Sequence, residues 1–278
     1  MNIFDSHCHL DDRSFESDFQ DVLDRAAAAH VHRMLVVGID KRTSKQAVML
    51  ANRHPGIFAS VGIHPHDAHS CTQAALTHLT ALASDPKVVA WGETGLDFNR
   101  MHSPRKDQER WLIRQLKIAE TLDLPLIFHE RDSQGRLLEI LEATASTHRP
   151  AVVHCFSGTA VELDRYLEMG FYIGITGIVT VSKRGEPLRQ MIPSIPANRL
   201  LIETDAPYLT PAPQRNKFRR NEPAFVREVL LKVADVRKED PAALAEQIWD
   251  NTCRLFRIDP SVYAFRVQRS EVQLTPNR

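Results

Sequence analysis

The sequence carries no net charge, because 35 Lys and Arg residues are matched by 35 Asp and Glu. No overall positive field therefore draws the chain to nucleic acid or to a membrane surface, and any recognition of phosphate must be local. Cysteine is sparse as well. Cys8, Cys71, Cys155 and Cys253 lie far apart with no Cys-x-x-Cys pair, which excludes a thiolate zinc site of the usual spacing and suits a reducing compartment. No apolar run approaches the roughly 18 residues that a membrane span requires. The first residues also lack a basic and then apolar leader, so the expectation is a cytoplasmic protein with no membrane partner.

What the sequence has in quantity is short apolar runs. Eight recur along its 278 residues: NIFD from Asn2, MLVVGI from Met34, IFASVGI from Ile57, KVVAWGE from Lys87, PLIFHE from Pro125, PAVVHCF from Pro150, GFYIGIT from Gly170 and RLLIETD from Arg199. Near-continuous runs of this kind read as strands buried on both faces of a parallel sheet. Between them apolar residues take helical spacing, as in Phe19, Val22, Leu23 and Ala26, or Trp111, Leu112, Leu116 and Ala119. Strand and helix alternating eight times over this length predict a (β/α)8 TIM-like barrel in a single domain over residues 1–258, with a doubly wound open sheet as the alternative. Two helical stretches follow the eighth strand, roughly 224–236 and 241–256, and residues 259–278 form a polar C-terminal extension without periodicity.

The chemistry-bearing residues fall at the ends of these strands. In FDSHCHL, His7 and His9 are two apart and share one face of a strand, with Cys8 on the other. His64 and His66 follow the third strand in GIHPH, Glu93 and Asp97 the fourth in GETGLD; His129 ends the fifth, His154 the sixth, and Glu203 and Asp205 the eighth. A strand-end histidine or acid often only caps a helix or faces solvent. A closed barrel, however, brings all these ends around one mouth, where imidazoles and carboxylates without a cation would leave acids repelling one another. Six ligands exceed one tetrahedral zinc, and a carboxylate can bridge two ions. The expectation is two divalent metals, Mg, Mn or Zn, with Glu93 as the bridge, His7, His9 and Asp205 completing one site, and His129 and His154 the other.

The motifs DSHCHL, GIHPH, GETGLD, HCFSG, GFYIGITGIVT and LLIETDAPYLTP, with NEPAFV from Asn221, resemble the TatD family of metal-dependent deoxyribonucleases. The resemblance covers Met1 to about Ile258. It implies a barrel of the amidohydrolase superfamily, hydrolysis of DNA phosphodiester bonds with divalent metal, and ligand roles for His7, His9, Glu93, His129, His154 and Asp205. Where such proteins commonly read a short Arg-Gly-Lys segment, this chain has QRNKFRRNEP.

The expected reaction is hydrolysis by a metal-activated water presented in line with phosphorus, on single strands or strand ends of DNA, with Glu93 and Asp205 catalytic and Asp205 accepting the water's proton. His64 and Arg131 are expected on the phosphate, and Arg215, Lys217, Arg219 and Arg220 at the rim. Asp97 and Glu203 are expected to orient metal-binding groups, His66 to be structural, Trp91 to be core, and Phe98 and Phe218 to stand near the mouth. The rival readings are a carbonyl hydrolase acting on an ester, lactone or amide, and a non-catalytic metal-binding protein. Two-metal relatives that cleave carbonyl substrates often bridge with a modified lysine on the fourth strand, where this chain has Glu93.

Overall fold

In a computed structural model describing residues 1–144 and 146–261, the eight apolar runs become eight strands. They are β1 Ile3–Cys8, β2 Val31–Val37, β3 Ile57–Val61, β4 Val88–Asp97, β5 Leu126–Arg131, β6 Ala151–His154, β7 Tyr172–Ile175 and β8 Leu200–Ile202. All neighbouring pairs are parallel and the spatial order equals the chain order. The ring closes just beyond β8: the His9 amide donates to the Ala206 carbonyl at 2.7 Å and the Asp205 amide to the His7 carbonyl at 2.9 Å. That closure makes the fold a (β/α)8 barrel and rules out the open sheet. The expected extension lies outside the described residues from 262 onward. Among the described residues no helix is long and apolar enough to cross a membrane.

Two apolar layers follow from strand alternation. Phe4, Leu35, Val37, Ala90, Ile127, Val152, Tyr172 and Leu201 cluster inside the ring with Trp249, Cys253 and Phe256 from the end of the chain. Met34, Val36, Val61, Phe128, Val153, Ile175 and Ile202 belong to the outer layer, which also holds Val22, Leu23 and Ala26 from helix Phe19–Ala28 and Trp111, Leu112, Leu116 and Ala119 from helix Arg105–Thr121. The helix starts use local capping chemistry. Asp40 and Thr43 form a reciprocal capping box at helix Lys41–Arg53, as do Thr159 and Glu162 at helix Ala160–Glu168.

Two details of this frame aim the site. Gln115, buried on helix Arg105–Thr121, accepts from the Ile63 amide at 2.8 Å and from Trp91 Nε1 at 3.2 Å, and donates to Thr94 Oγ1 at 2.7 Å. It thereby pins the loop that carries His64 against β4. The second detail is a pair of bulges. Between Asp5 and Cys8 strand β1 advances three residues while β2 advances two, and β4 gains one residue on β5 between Trp91 and Thr94. A bulge re-aims the side chains it contains, and here the residues inside are His7 and Glu93.

Candidate metal centre at the barrel mouth

Glu93 sits at the middle of the mouth, almost fully buried, and its two oxygens face different histidines. Oε2 lies 3.3 Å from His7 Nε2. Oε1 lies 2.8 Å from His129 Nδ1, 3.3 Å from His64 Nε2 and 3.7 Å from His154 Nε2. On the β1 side, Asp205 Oδ1 is 3.3 Å from His9 Nε2 and 3.8 Å from His7 Nε2. All six expected ligands thus converge, from five different strand ends.

The outer nitrogens of these rings are tethered. His9 Nδ1 donates to the Val37 carbonyl at 3.2 Å, and His129 Nε2 to Asp97 Oδ2 at 3.3 Å. His154 Nδ1 is 2.8 Å from Glu203 Oε1, a short contact misaligned for a hydrogen bond. Val37 and Asp97 fix the tautomers of His9 and His129 so that the remaining nitrogen of each offers its lone pair to the mouth. Asp97 stands behind His129, and Glu203 behind His154. Glu203 also accepts the Cys155 amide at 2.6 Å, and glycine at 174 leaves it room, since a Cβ there would lie 2.7 Å from its carboxylate. Gly95, at φ +148°, lets β4 approach β5 so closely that a Cβ would collide with the His129 carbonyl.

His7 is fully buried, its ring stacks on His154 at 3.5 Å between centroids, and neither of its nitrogens has a hydrogen-bond partner. Buried polar nitrogens without partners are rare and need an explanation. The electrostatics supply one. Burial raises Glu93, but His64, His154 and His7 outweigh it and hold the carboxyl well below its ordinary range. Burial disfavours charge on His9 and His129, yet hydrogen bonds and charges from Asp205 for one, and from Asp97 and Glu93 for the other, carry both up to about 9. Burial instead wins at His64, which falls to about 4, and lowers His7. The carboxylates thus hold positive charge in the mouth, a place that protons or metal can fill. His7, His9 and Glu93 bring ligand atoms within 4.8 Å of one another, as do His7, His154 and Asp205, and His64, Glu93 and His129. This N- and O-donor set fits divalent cations.

The chain matches the family described as TatD related DNase over residues 4–257. It is 43% identical over 258 residues to the "3'-5' ssDNA/RNA exonuclease TatD" of Escherichia fergusonii and 44% identical to the protein of that name from Citrobacter koseri, covering 92% of this chain and 99% of each relative. It belongs to the TatD related DNase family. The crystal structure of YJJV, a TatD homolog from Escherichia coli K12, superposes with a TM-score of 0.84 at 31% identity, covering 92% of this chain and 98% of that one. A TatD-family hydrolase from Entamoeba histolytica superposes equally well, at 0.84 with 24% identity, and shows the fold. As a TatD family member the chain is a hydrolase of phosphodiester bonds that works with divalent metal.

For this TatD family chain the rest of the expected site divides. Arg131 and His64 line the cleft above Glu93, a space of about 500 Å³. His66 contacts Asp97 Oδ2 through Nε2 at 2.7 Å and also lines the cleft. Asp5, which continues the alternation of His7 and His9, stays out of the mouth because of the β1 bulge; its carboxylate accepts the Thr204 amide at 2.8 Å. Arg220 turns to Asp18, at 2.7 and 2.8 Å, and none of Arg215, Lys217, Arg219 and Arg220 lines the cleft. Phe98 lies under the Arg105 guanidinium at 4.3 Å and Phe218 packs on Phe225 at 5.2 Å. The aromatic ring at the mouth is instead Tyr208, 56% exposed and 6.0 Å from the His9 ring. Its signal in the sequence is its place three residues after Asp205, where the Tyr208 amide closes a turn onto the Asp205 carbonyl at 2.8 Å.

Proposed function

We propose that the mouth holds two divalent cations bridged by Glu93 and hydrolyses phosphodiester bonds at the ends of single-stranded nucleic acid, within one domain over residues 1–258. The observation that carries this reading is the division of labour on Glu93, one oxygen toward His7 and the other toward His129 and His154. His7, His9 and Asp205 would hold one ion and His129 and His154 the other. Ions held by these residues would supply a lowered pKa to a water and neutralise charge on the phosphate oxygens.

The protein's own groups then position and exchange protons. Asp205 takes φ +57°, a conformation unusual for a non-glycine residue, held by its amide on His7 and its carbonyl on Tyr208. This presents the carboxylate at the mouth to accept the attacking water's proton. His64 differs from the other imidazoles. Its Nδ1 accepts the His66 amide at 3.0 Å, so the neutral ring carries its proton on Nε2 and donates into the mouth. That supports a role for His64 on the phosphate, beside Arg131, and against one as a ligand. The relatives' name, an exonuclease for single-stranded DNA and RNA, supports the choice of strand ends. Four unpaired cysteines support a cytoplasmic site of action.

The test is metal-loaded protein with end-labelled single- and double-stranded DNA, with chelator, and with Glu93→Ala. Single strands should shorten from one end, chelator should stop the reaction, and Glu93→Ala should lower the rate roughly a thousandfold, the scale of losing transition-state charge stabilisation. Intact DNA alongside cleaved model esters or lactones would overturn the reading in favour of carbonyl hydrolysis.

A further inference from the structure

A second depression, of about 610 Å³, adjoins the mouth and takes no part in the site described above. The two share a wall, for Asp67 lines both and Ile39, at the mouth, directly precedes Asp40 in the groove. Its cations are Lys41, Arg42 and Lys45, all exposed, at the start of helix Lys41–Arg53. Among the described residues none of the three forms an ion pair, and Arg42 bonds the neutral Gln46 at 2.6 Å. The neighbouring Asp40 is committed to the backbone: its carboxylate caps the helix through the Thr43 amide and hydroxyl, both at 2.6 Å. Asp67 is the other acid, at the border with the mouth. In a chain with no net charge this is a local basic patch, and it borders the mouth.

We infer that this groove carries the backbone of the nucleic-acid strand beyond the scissile bond, with Lys41, Arg42 and Lys45 on its phosphates. The inference rests on the nuclease reading and adds the direction in which the strand leaves the mouth. Phosphate contacts by Lys and Arg are independent of base sequence, and on single strands each steepens the salt dependence of binding by about 0.7 in log–log slope. The groove therefore acts on substrates long enough to reach it.

The experiment compares the wild type with the triple variant Lys41→Gln, Arg42→Gln, Lys45→Gln, substitutions that keep helix propensity. Substrates are a dinucleotide and a single strand of about 16 nucleotides, long enough to fill such a track. KM for the long strand should rise at least tenfold and its slope against salt should flatten by about 2. The dinucleotide's KM and kcat should stay within twofold. Equal changes on both substrates, or an unchanged KM for the long strand, overturn the groove. Failure of the wild type to cleave even the dinucleotide would instead overturn the nuclease reading. In that case fluorescence anisotropy of the labelled long strand in chelator still decides the groove, which falls if the triple variant binds as tightly as the wild type.

Discussion

The two ends of the barrel solve the same packing problem in opposite ways. At the N-terminal end Phe4, Trp249 and Phe256 fill the ring, and the buried charge of Arg33 has partners. Arg33 donates to the Asp259 carbonyl at 2.7 Å and to Cys253 Sγ at 3.3 Å, and its guanidinium lies 4.7 Å from the Trp249 ring centroid. At the C-terminal end the same strands bury Glu93 and the imidazoles of His7 and His154, with both His7 nitrogens unpartnered. Packing the first end adds stability. The second end costs stability, because buried polar groups without partners are tolerated where they serve chemistry. A barrel can carry this cost at one end because the other end and the outer layer supply the core.

Substitutions should therefore separate activity from stability according to the end they strike. The largest effect is expected at Asp205→Asn, with activity down roughly a hundred- to a thousandfold. In metal-free protein its melting temperature should fall only slightly, since the partly exposed carboxylate loses its charge pairing with His9 while an amide oxygen remains to accept from it; a fall as deep as that of a core variant would break the contrast. Next comes Trp249→Ala at the opposite end, expected to cost about 3–5 kcal/mol in urea unfolding. The folded fraction should keep its kcat, and a loss of kcat beyond the unfolded fraction would show that the ends are coupled.

This contrast also explains what the sequence discloses and what it hides. The packed layers announce themselves: the eight runs match β1 to β8, and Trp111, Leu112, Leu116 and Ala119 are all buried as their spacing requires. Strand-end positions likewise bring His129, His154 and Glu203 together, because β5, β6 and β8 run without bulges into the mouth. The aim of His7 and Glu93 depends instead on one extra residue in β1 and in β4, and a bulge has no periodicity to read. Asp5 shows the consequence, for two-residue spacing groups it with His7 while the bulge sends it to Thr204. Tyr208 and the Lys41–Lys45 groove were hidden for another reason: Tyr208 lies in a connection, and the groove forms where the start of helix Lys41–Arg53 meets the segment after β3, a meeting in space that no local pattern encodes.

Cys8 gives a smaller and sharper comparison, because it lies between two mouth histidines yet belongs to the outer layer. It is fully buried in that layer with Leu10, Met34 and Val36, and its thiol donates to the Leu35 carbonyl at 3.4 Å. A serine hydroxyl can make the same bond, so Cys8→Ser should cost about 1 kcal/mol and leave metal content and kcat near those of the wild type. His7→Ala should lose metal by elemental analysis. If Cys8→Ser loses it as badly, the β1 register on which the mouth depends is wrong.

The smallest effect is expected at the rim, where charges are paired in solvent. Asp18 accepts from Arg220 and Arg25, tying residue 220 to the start of helix Phe19–Ala28. Hydrogen bonds from Arg220, and after them from Arg25, overcome burial and hold the Asp18 carboxyl down to about 2. A folded-state value below the unfolded 3.8 means that the ionised form favours folding. The stabilisation is complete above the unfolded value and is lost as pH falls from there toward the folded one. Screening limits it to less than about 1 kcal/mol for so accessible a pair. Asp18→Asn should therefore be slightly less stable than the wild type at neutral pH, with kcat on a dinucleotide unchanged. The two urea curves should converge as pH drops below the unfolded value, whereas a gap that widens in acid would reverse the sign and assign the stabilisation to a protonated group.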